Sequence, residues 1–231
     1  MSKILIVEDE ESIADLEKDY LELSGFEVEI ENQGDTGLVR AVKEDFDLLI
    51  LDLMLPEVDG FEICREVREK KDIPIIMVSA KKDDIDKIRG LGLGADDYMT
   101  KPFNPLELTA RVKSQLRRYT QLGSTIDKSN QAVYAVGGLS IDDEQKEVTV
   151  DGEPVRLTPI EYNILLLLVK NQGKVFSIDQ IYESIWNEDA IGVDNTVAAH
   201  IRHIREKIEI NPKEPRYLKV VWGVGYKIDK N

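Results

Sequence analysis

The chain has 231 residues and a net charge of −15, and its length fits two domains of ordinary size. Its single cysteine, Cys64, excludes an intramolecular disulfide framework and a cysteine-based zinc site. No apolar run approaches the ~20 residues of a membrane span, so we expect a cytoplasmic protein without a membrane partner.

The first half of the chain alternates between strand patterns and helix patterns. Apolar runs rich in β-branched residues are separated by amphipathic stretches with helical spacing. The runs are Ile4–Val7, Phe26–Ile30, Asp47–Leu51, Ile73–Val78 and a segment around Tyr98. This repeat predicts an α/β doubly wound, flavodoxin-like fold, with a five-stranded parallel sheet covered by helices on both faces.

Polar side chains follow four of the predicted strands. Glu8 and Asp9 end the first strand, Asp52 ends the third, Ser79 ends the fourth, and Lys101 follows the fifth. Each alone is an ordinary turn residue or helix cap. Because the carboxyl ends of parallel strands meet at one edge, we expect all five side chains in one site.

Three carboxylates in one site repel each other unless a cation lies between them. Hard oxygen ligands without histidine or cysteine favour Mg²⁺. An aspartate beside Mg²⁺, an ammonium and a hydroxyl can attack a phosphoryl donor. The site therefore predicts an aspartyl phosphate at Asp52, with Lys101 and Ser79 contacting the phosphoryl oxygens.

Two enzyme classes fit the residues poorly. A nucleotide-dependent oxidoreductase needs a glycine-rich turn after the first strand, where this chain has the acidic segment 7–12. A haloacid-type phosphatase needs a second aspartate two residues after the nucleophile, where this chain has Met54. We therefore expect no enzyme activity beyond Mg²⁺-dependent self-phosphorylation and slow self-dephosphorylation of Asp52.

Residues 3–119 resemble the receiver domain of two-component response regulators. The resemblance lies in Glu8-Asp9, Asp52, Met54-Leu55-Pro56, Asp59-Gly60, Ser79-Ala80, Gly94-Ala95-Asp96-Asp97-Tyr98 and Lys101-Pro102-Phe103. It implies that Asp52 accepts a phosphoryl group from a sensor histidine kinase. It also implies that Asp9, Asp52 and the Met54 carbonyl hold Mg²⁺, and that Glu8 binds the ion through water.

The same resemblance implies a switch and a dimer. Ser79 and Tyr98 would form the switch pair, and the Lys101-Pro102 peptide would be cis. Phosphorylated receivers of this family pair two-fold through the fourth helix, fifth strand and fifth helix. The candidate interface residues are Lys87, Ile88, Leu91, Asp96, Asp97, Glu107, Ala110, Arg111 and Lys113. Between subunits, Lys87 would meet Glu107, and Asp97 would meet Arg111.

The strand–helix repeat stops after Arg118, and a polar segment without periodicity follows at 121–131. We therefore expect a receiver domain at 1–120, a linker at 121–133 and a second domain at 134–231. The second domain begins with short strands. Three helices and a closing hairpin follow them.

The helices of the second domain have clear start signals. Thr158, Pro159 and Glu161 form a capping-box pattern. A second helix begins around Ser177 and ends near Trp186, and a third is capped by Asp194 or Asn195. The third helix has one apolar stripe, formed by Val197, Ile201, Ile204 and Ile208.

The acidic chain has a basic end, because residues 195–231 carry eight basic and four acidic side chains. This distribution favours a local site for a polyanion. A helix with small residues near its start and Arg202 a turn later can read bases in the major groove. A hairpin around Gly223 could lie against the DNA backbone or in the minor groove.

Residues 134–229 are similar to the winged-helix effector domain of the OmpR/PhoB family. The similarity lies in Leu157-Thr158-Pro159-Ile160-Glu161-Tyr162, the segment 197–205 and Trp222-Gly223-Val224-Gly225-Tyr226. It implies that Ala198, Ala199, Arg202 and His203 face bases. It implies that Thr196, His200, Arg205 and Tyr226 meet phosphates, whereas Trp222 is compatible with DNA contact or with packing.

Two positions depart from the common pattern of this family. His203 stands where many relatives have arginine, and Val220 stands where a threonine often contacts phosphate. We therefore expect altered DNA sequence preference and affinity.

The sequence as a whole predicts a phosphorylation-dependent transcription regulator. Its expected partners are a histidine kinase, double-stranded promoter DNA, a second phosphorylated copy and, by resemblance, RNA polymerase. One alternative is a phosphorylation-independent DNA binder whose receiver serves only for dimerisation. Another is a protein-interaction module that does not bind DNA.

Overall fold

The computed structural model describes residues 1–80, 84–121, 133–186 and 194–230, and the chain folds into two compact units, Met1–Tyr119 and Thr120–Asn231. Most of the expected linker, residues 122–132, lies outside the described residues, so its extent stays a prediction. No helix of the described residues is long and apolar enough to cross a membrane.

The first unit is a parallel sheet with helices on both faces, as predicted. Its strands are β1 (Lys3–Val7), β2 (Glu27–Glu31), β3 (Leu48–Asp52), β4 (Ile75–Ser79) and β5 (Asp97–Thr100). Its helices are α1 (Glu11–Leu23), α2 (Gly34–Lys43), α3 (Gly60–Arg68), α4 (Asp84–Gly92) and α5 (Pro105–Gln121). The strand order β2-β1-β3-β4-β5 places the end of β1 beside the end of β3.

The apolar residues of this sheet form two separate cores. One core lies under α1 and α5 and includes Ile50, Val78 and Val112. The other packs under α2 and α3 and includes Leu51 and Met77. Strands β3 and β4 are buried along their whole length, which explains their continuous apolar sequence.

The second unit combines a small antiparallel sheet with three helices and a hairpin. Its elements are β6 (Val133–Val136), β7 (Leu139–Asp142), β8 (Glu147–Val150), β9 (Glu153–Pro154), α6 (Pro159–Lys170), α7 (Ile178–Trp186), α8 (Asp194–Ile208), β10 (Leu218–Val221) and β11 (Gly225–Ile228). Strands β6 to β9 form one sheet and β10 pairs with β11. This is the winged-helix arrangement expected from the sequence.

Three predicted details of the second unit are confirmed. Thr158 and Glu161 form a complete capping box with Pro159 at the start of α6. The buried stripe of α8 packs in the core with side chains of α6 and α7. Helix α7 begins and ends as expected from the sequence.

Candidate functional site

The carboxyl edge of the parallel sheet brings the predicted acidic residues together. Glu8, Asp9 and Asp52 each place a carboxylate oxygen within 4.8 Å of the other two. Glu8 and Asp52 are buried, whereas Asp9 is exposed. The set of hard oxygens fits the expected Mg²⁺.

Lys101 reaches this cluster from the loop after β5. Its Nζ lies 2.5 Å from Glu8 Oε2 and also donates to Asp52 Oδ2. The Lys101 backbone N–H donates to the Ser79 carbonyl at 2.7 Å, and the Lys101-Pro102 peptide is cis, as predicted. The ammonium is therefore held at the ends of β1 and β3 by residues of three strands.

Burial and charge act on the ionisation of this cluster. Burial, followed by the nearby Asp52 charge, raises the pKa of Glu8 to about 7 against the lowering effect of Lys101. Burial alone would lower the pKa of Lys101, but hydrogen bonds to Asp52 and Glu8 outweigh it and raise that pKa. The ammonium therefore remains a cation beside the acceptor candidate.

The loop after β3 holds the Asp52 carboxylate. The Met54 N–H donates to Asp52 Oδ1 at 2.8 Å, and a Cβ at Gly60 would collide with the Asp52 carbonyl oxygen. Glycine at this position therefore lets α3 begin directly against the end of β3. Methionine supplies neither an acid nor a base to Asp52, and the Met54 side chain is 56% exposed.

The proposed switch pair lies in the same unit. Ser79 is fully buried at the end of β4. Tyr98 is only 7% exposed and packs in the core that underlies α2 and α3. The ring is therefore already packed inward in this structure. This position accommodates the expected role, which stays a prediction.

The structure contradicts part of the predicted dimer interface. Leu91 is fully buried, so it adds nothing to an exposed apolar patch. Asp96 is buried too, and it accepts hydrogen bonds from Arg68 at 2.6 Å and from the Ile75 N–H at 2.8 Å. Both residues stabilise the receiver from within, because the chain turns back sharply between α4 and β5.

The predicted pair between subunits, Asp97 with Arg111, forms inside one chain. Arg111 Nη1 donates to the buried Asp97 at 2.8 Å, and Arg111 Nη2 contacts Glu107 at 2.9 Å. Glu107, Ala110 and Lys113 are exposed, as the interface requires. The side chains of Lys87 and Ile88 lie outside the described residues.

The predicted DNA-contacting residues divide by exposure. Arg202 is exposed and pairs with Glu206 at 2.8 Å, and Trp222 is 88% exposed at the tip of the hairpin. Ala198, Arg205 and Tyr226 are half-buried. These five predicted contact residues keep exposed surface in this structure.

Three other side chains of helix α8 that were predicted to contact DNA lie inside the unit. Thr196 and His200 are almost fully buried, and the His200 ring lies 5.7 Å from the Trp186 ring. Ala199 is buried as well. Burial leaves these three side chains little surface for direct contact with DNA, so that contact stays a prediction.

His203 and Arg205 have partners within the protein. His203 Nδ1 lies 3.9 Å from Glu161, which also receives Lys207 Nζ at 2.6 Å. Arg205 Nε and Nη2 donate to the Leu218 carbonyl at 3.0 and 2.9 Å. Arg205 therefore holds the hairpin with two of its nitrogens, and its predicted phosphate contact stays a prediction.

Sequence reasoning missed two buried acids. Glu17 lies on the buried face of α1, and neither of its oxygens has a hydrogen-bond partner among the described residues. Its position three residues after Ala14 and four before Leu21 is the signal that could have revealed it. Glu209 follows α8 and accepts three backbone N–H groups at the base of the hairpin.

Comparison with known proteins identifies both halves. Residues 4–113 match the response regulator receiver domain, and residues 152–228 match the C-terminal domain of transcriptional regulatory proteins. The chain is similar to the regulatory protein VanRc of Enterococcus gallinarum, at 44% identity over 228 residues and 99% of each chain. It is also similar to PhoP of Bacillus subtilis, the alkaline phosphatase synthesis transcriptional regulatory protein, at 42% identity over 99% of this chain and 97% of that protein.

Two solved structures are similar to the chain over its whole length. The response regulator DrrB, a Thermotoga maritima OmpR/PhoB homologue, covers 100% of both chains at 35% identity with a TM-score of 0.52. The structure of a RitR mutant likewise covers 100% of both chains, at 25% identity with a TM-score of 0.73.

Proposed function

Because the chain belongs to the two-component response regulators that join a receiver to a winged-helix DNA-binding domain, we propose that phosphorylation of Asp52 controls its binding to promoter DNA. The protein is a transcriptional regulator of this class. The observation that carries the proposed acceptor site is the contact of Lys101 with Asp52 and Glu8, beside Asp9.

The chemistry of the site follows from its donor set. Glu8, Asp9 and Asp52 would hold Mg²⁺, which supplies positive charge to the phosphoryl oxygens when bound. Asp52 Oδ2 forms a bond to phosphorus while the P–N bond of a phosphohistidine, or the P–O bond of acetyl phosphate, breaks. The imidazole or acetate leaves with the bonding electron pair, and Lys101 moves from the Asp52 carboxylate to the new phosphoryl group.

The site favours a long-lived aspartyl phosphate over rapid turnover. Hydrolysis needs a base that activates water close to phosphorus. Met54 occupies the position that a second aspartate holds in a haloacid-type phosphatase, and its side chain points to solvent. Slow self-dephosphorylation at Asp52 is the expected consequence.

The expected partners follow from the two domains. A sensor histidine kinase supplies the phosphoryl group, and duplex DNA binds the face that carries Arg202 and Trp222. RNA polymerase is a further partner that the family resemblance implies. These partners meet in the cytoplasm, where we place this protein.

Labelling with a small phosphodonor tests the proposal. Full-length protein incubated with Mg²⁺ and acetyl phosphate is expected to gain one acid-stable, base-labile phosphoryl group. Asp52→Ala should gain none, and chelation of Mg²⁺ should prevent labelling of the parent. A matched control is Asp59→Ala, which removes a carboxylate from the N-cap of α3 outside the cluster.

The dependence of DNA binding on phosphorylation is measured separately. A duplex selected from a randomised pool by the phosphorylated protein should bind the unphosphorylated protein and Asp52→Ala more weakly. Equal labelling of Asp52→Ala would contradict the acceptor assignment. Equal DNA binding with and without phosphate would favour the alternative in which the receiver serves only for dimerisation.

A further inference from the structure

The base of the hairpin formed by β10 and β11, called the wing, is held by Glu209 at the end of helix α8. Glu209 directly follows α8, and only 7% of its surface is exposed. Its Oε2 accepts the Arg216 N–H at 2.6 Å, and its Oε1 accepts the N–H groups of Tyr217 and Leu218 at 2.9 Å each. Hydrogen bonds from backbone N–H groups to a carboxylate are stronger than neutral ones.

Arg205 holds the same strand from one helical turn earlier. Two nitrogens of its guanidinium donate to the Leu218 carbonyl, at 3.0 and 2.9 Å. The guanidinium carbon also lies 5.8 Å from the centre of the Tyr226 ring on β11. Leu218 is therefore bound through its N–H to Glu209, directly after α8, and through its C=O to Arg205 on α8. Burial lowers the pKa of Arg205.

The hairpin depends on these bonds more than a strand of a large sheet would. It contains two strands with four paired residues each, and a two-stranded hairpin is marginally stable alone. It is also attached to the unit by the bridge between Phe176 and Tyr226, by the bond from the Gly173 N–H to the Ile228 carbonyl at 2.7 Å and by core packing of Leu218 and Ile228. The tip, with Trp222 88% exposed and Val224 55% exposed, extends beyond these attachments.

We propose that Arg205 and Glu209 form a clamp that fixes the wing relative to helix α8, so that both are positioning residues for the DNA contacts of the wing. The proposal rests on the DNA-binding function of this domain. The clamp sets the distance between Arg202, on the exposed face of the helix, and Trp222 at the tip. Simultaneous engagement of neighbouring grooves requires that distance to be fixed before binding.

Glu209→Gln is the principal test. An amide keeps the size of the side chain but replaces one accepting oxygen by a donor, so at least one of the three N–H groups loses its partner. The matched control is Glu214→Gln in the same loop, whose side chain is exposed and accepts only from Asn211 at 3.3 Å. Circular dichroism and thermal unfolding establish that each variant is folded.

The measurements use a duplex that the phosphorylated full-length parent selects from a randomised pool. Dimethyl sulphate reports major-groove contacts by α8, and hydroxyl radicals report minor-groove and backbone contacts by the wing. We expect Glu209→Gln to bind about tenfold more weakly, the equivalent of one lost charge-assisted bond. At saturating protein it should retain major-groove protection and lose protection on the wing side.

Arg205→Lys separates the clamp from a direct phosphate contact. Lysine keeps the positive charge but cannot make the two-pronged contact with the Leu218 carbonyl. The clamp predicts the selective footprint loss of Glu209→Gln, whereas a phosphate contact predicts a footprint like that of the parent. Full wing protection in Glu209→Gln, or a parent-like Arg205→Lys, would overturn the inference, while a parent that selects no duplex would instead refute DNA binding.

Discussion

Glu17 is a carboxyl group in an apolar core. It lies between Ala14 and Leu21 on helix α1, and burial, aided by the charges of Glu8 and Asp52, raises its pKa to about 8 from an ordinary 4.5. The folded protein therefore keeps a proton that the unfolded chain releases above pH 4.5. It follows that the free energy of unfolding falls as the pH rises from about 4.5 to 8.

Glu17→Leu should reduce this fall, leaving the part that Glu8 contributes, and raise the free energy of unfolding at pH 8.5 by on the order of 5 kcal/mol, because the shift from 4.5 to about 8 corresponds to about 1.4 kcal/mol per pKa unit. The free energy of unfolding of the receiver is measured by urea titration at pH 5.5 and 8.5, with hydrogen exchange of the β3 amides as the probe. Glu22→Leu on the exposed face of the same helix is the control. Identical pH slopes for parent and Glu17→Leu would contradict the account.

Arg202 is an exposed cation of helix α8, and its partner Glu206 lies on the next turn. If it reads a base, Arg202→Ala should reduce discrimination between a selected and a scrambled duplex by roughly 1–3 kcal/mol. Lys213→Ala, in the exposed loop after α8, should leave that ratio unchanged. Binding constants measured from 50 to 300 mM salt complete the test, since an affinity independent of salt contradicts phosphate contacts.

At the scale of elements, local patterns predicted the strands, the helices and their caps. Buried runs of β-branched residues gave the parallel strands, and the spacing of Thr158 and Glu161 gave the start of α6. The acidic cluster followed from topology, because strand ends meet at one edge. Each of these features depends on residues that are close in sequence or on a rule of sheet connection.

Partners that depend on how elements pack could not be predicted in this way. Arg111 meets Asp97 because α5 packs beside the start of β5, and Arg205 meets Leu218 because the hairpin folds back on α8. Periodicity identifies an apolar stripe but not which element covers the adjoining face. His200 was therefore assigned to the surface, although it packs beside Trp186.

A similar tie joins the sheet of the second unit to helix α6. Asp143, in the turn between β7 and β8, accepts bonds from Lys146 at 2.6 Å, Lys170 at 2.7 Å and the Tyr162 hydroxyl at 2.8 Å. Burial alone would raise the pKa of Asp143, but these bonds lower it to about 2. Their stabilisation is present above pH 3.8 and is lost as the pH falls towards 2.

Asp143→Asn should therefore lower the free energy of unfolding at pH 7 by about 1–2 kcal/mol, with a smaller effect near pH 2. Urea unfolding followed by tryptophan fluorescence reports this unit, because Trp186 and Trp222 both lie within it. Asp151→Asn is a matched change at an exposed site whose nearest cation, Arg216, is 3.9 Å away. Equal losses in both variants would show that the tie around Asp143 contributes nothing specific.

At the scale of the whole molecule, a net charge of −15 opposes non-specific binding to DNA. A second copy would change this balance, because two linked effector domains would engage adjacent half-sites at a raised effective concentration. Phosphorylation can therefore control DNA occupancy by controlling dimerisation. The structure narrows the candidate dimer surface on α5 to the exposed Glu107, Ala110 and Lys113.

The pairing of Lys87 with Glu107 between subunits remains the contact to test. Glu107 already pairs with Arg111 in its own chain, so Glu107→Lys alters a local bond as well as the proposed one. Lys87→Glu leaves the pair of Glu107 with Arg111 unchanged, so it is the single change to test. Because of the two-fold symmetry, Lys87→Glu would place a glutamate opposite Glu107 at two positions in each dimer. Loss of one exposed ion pair alone would cost only about 0–1 kcal/mol.

We expect Lys87→Glu to weaken the dimer that the parent forms with beryllofluoride, because it creates two repulsive contacts for each dimer. Combining it with Glu107→Lys should restore much of the association, since both pairs then carry opposite charges again. The control is Arg65→Glu, which makes the same change of charge at an exposed position of α3. This variant should dimerise like the parent. Sedimentation equilibrium measures all four proteins with and without the mimic. A parent that stays monomeric, or a Lys87→Glu variant that dimerises normally, would exclude this contact and leave control of DNA binding to a change within one chain.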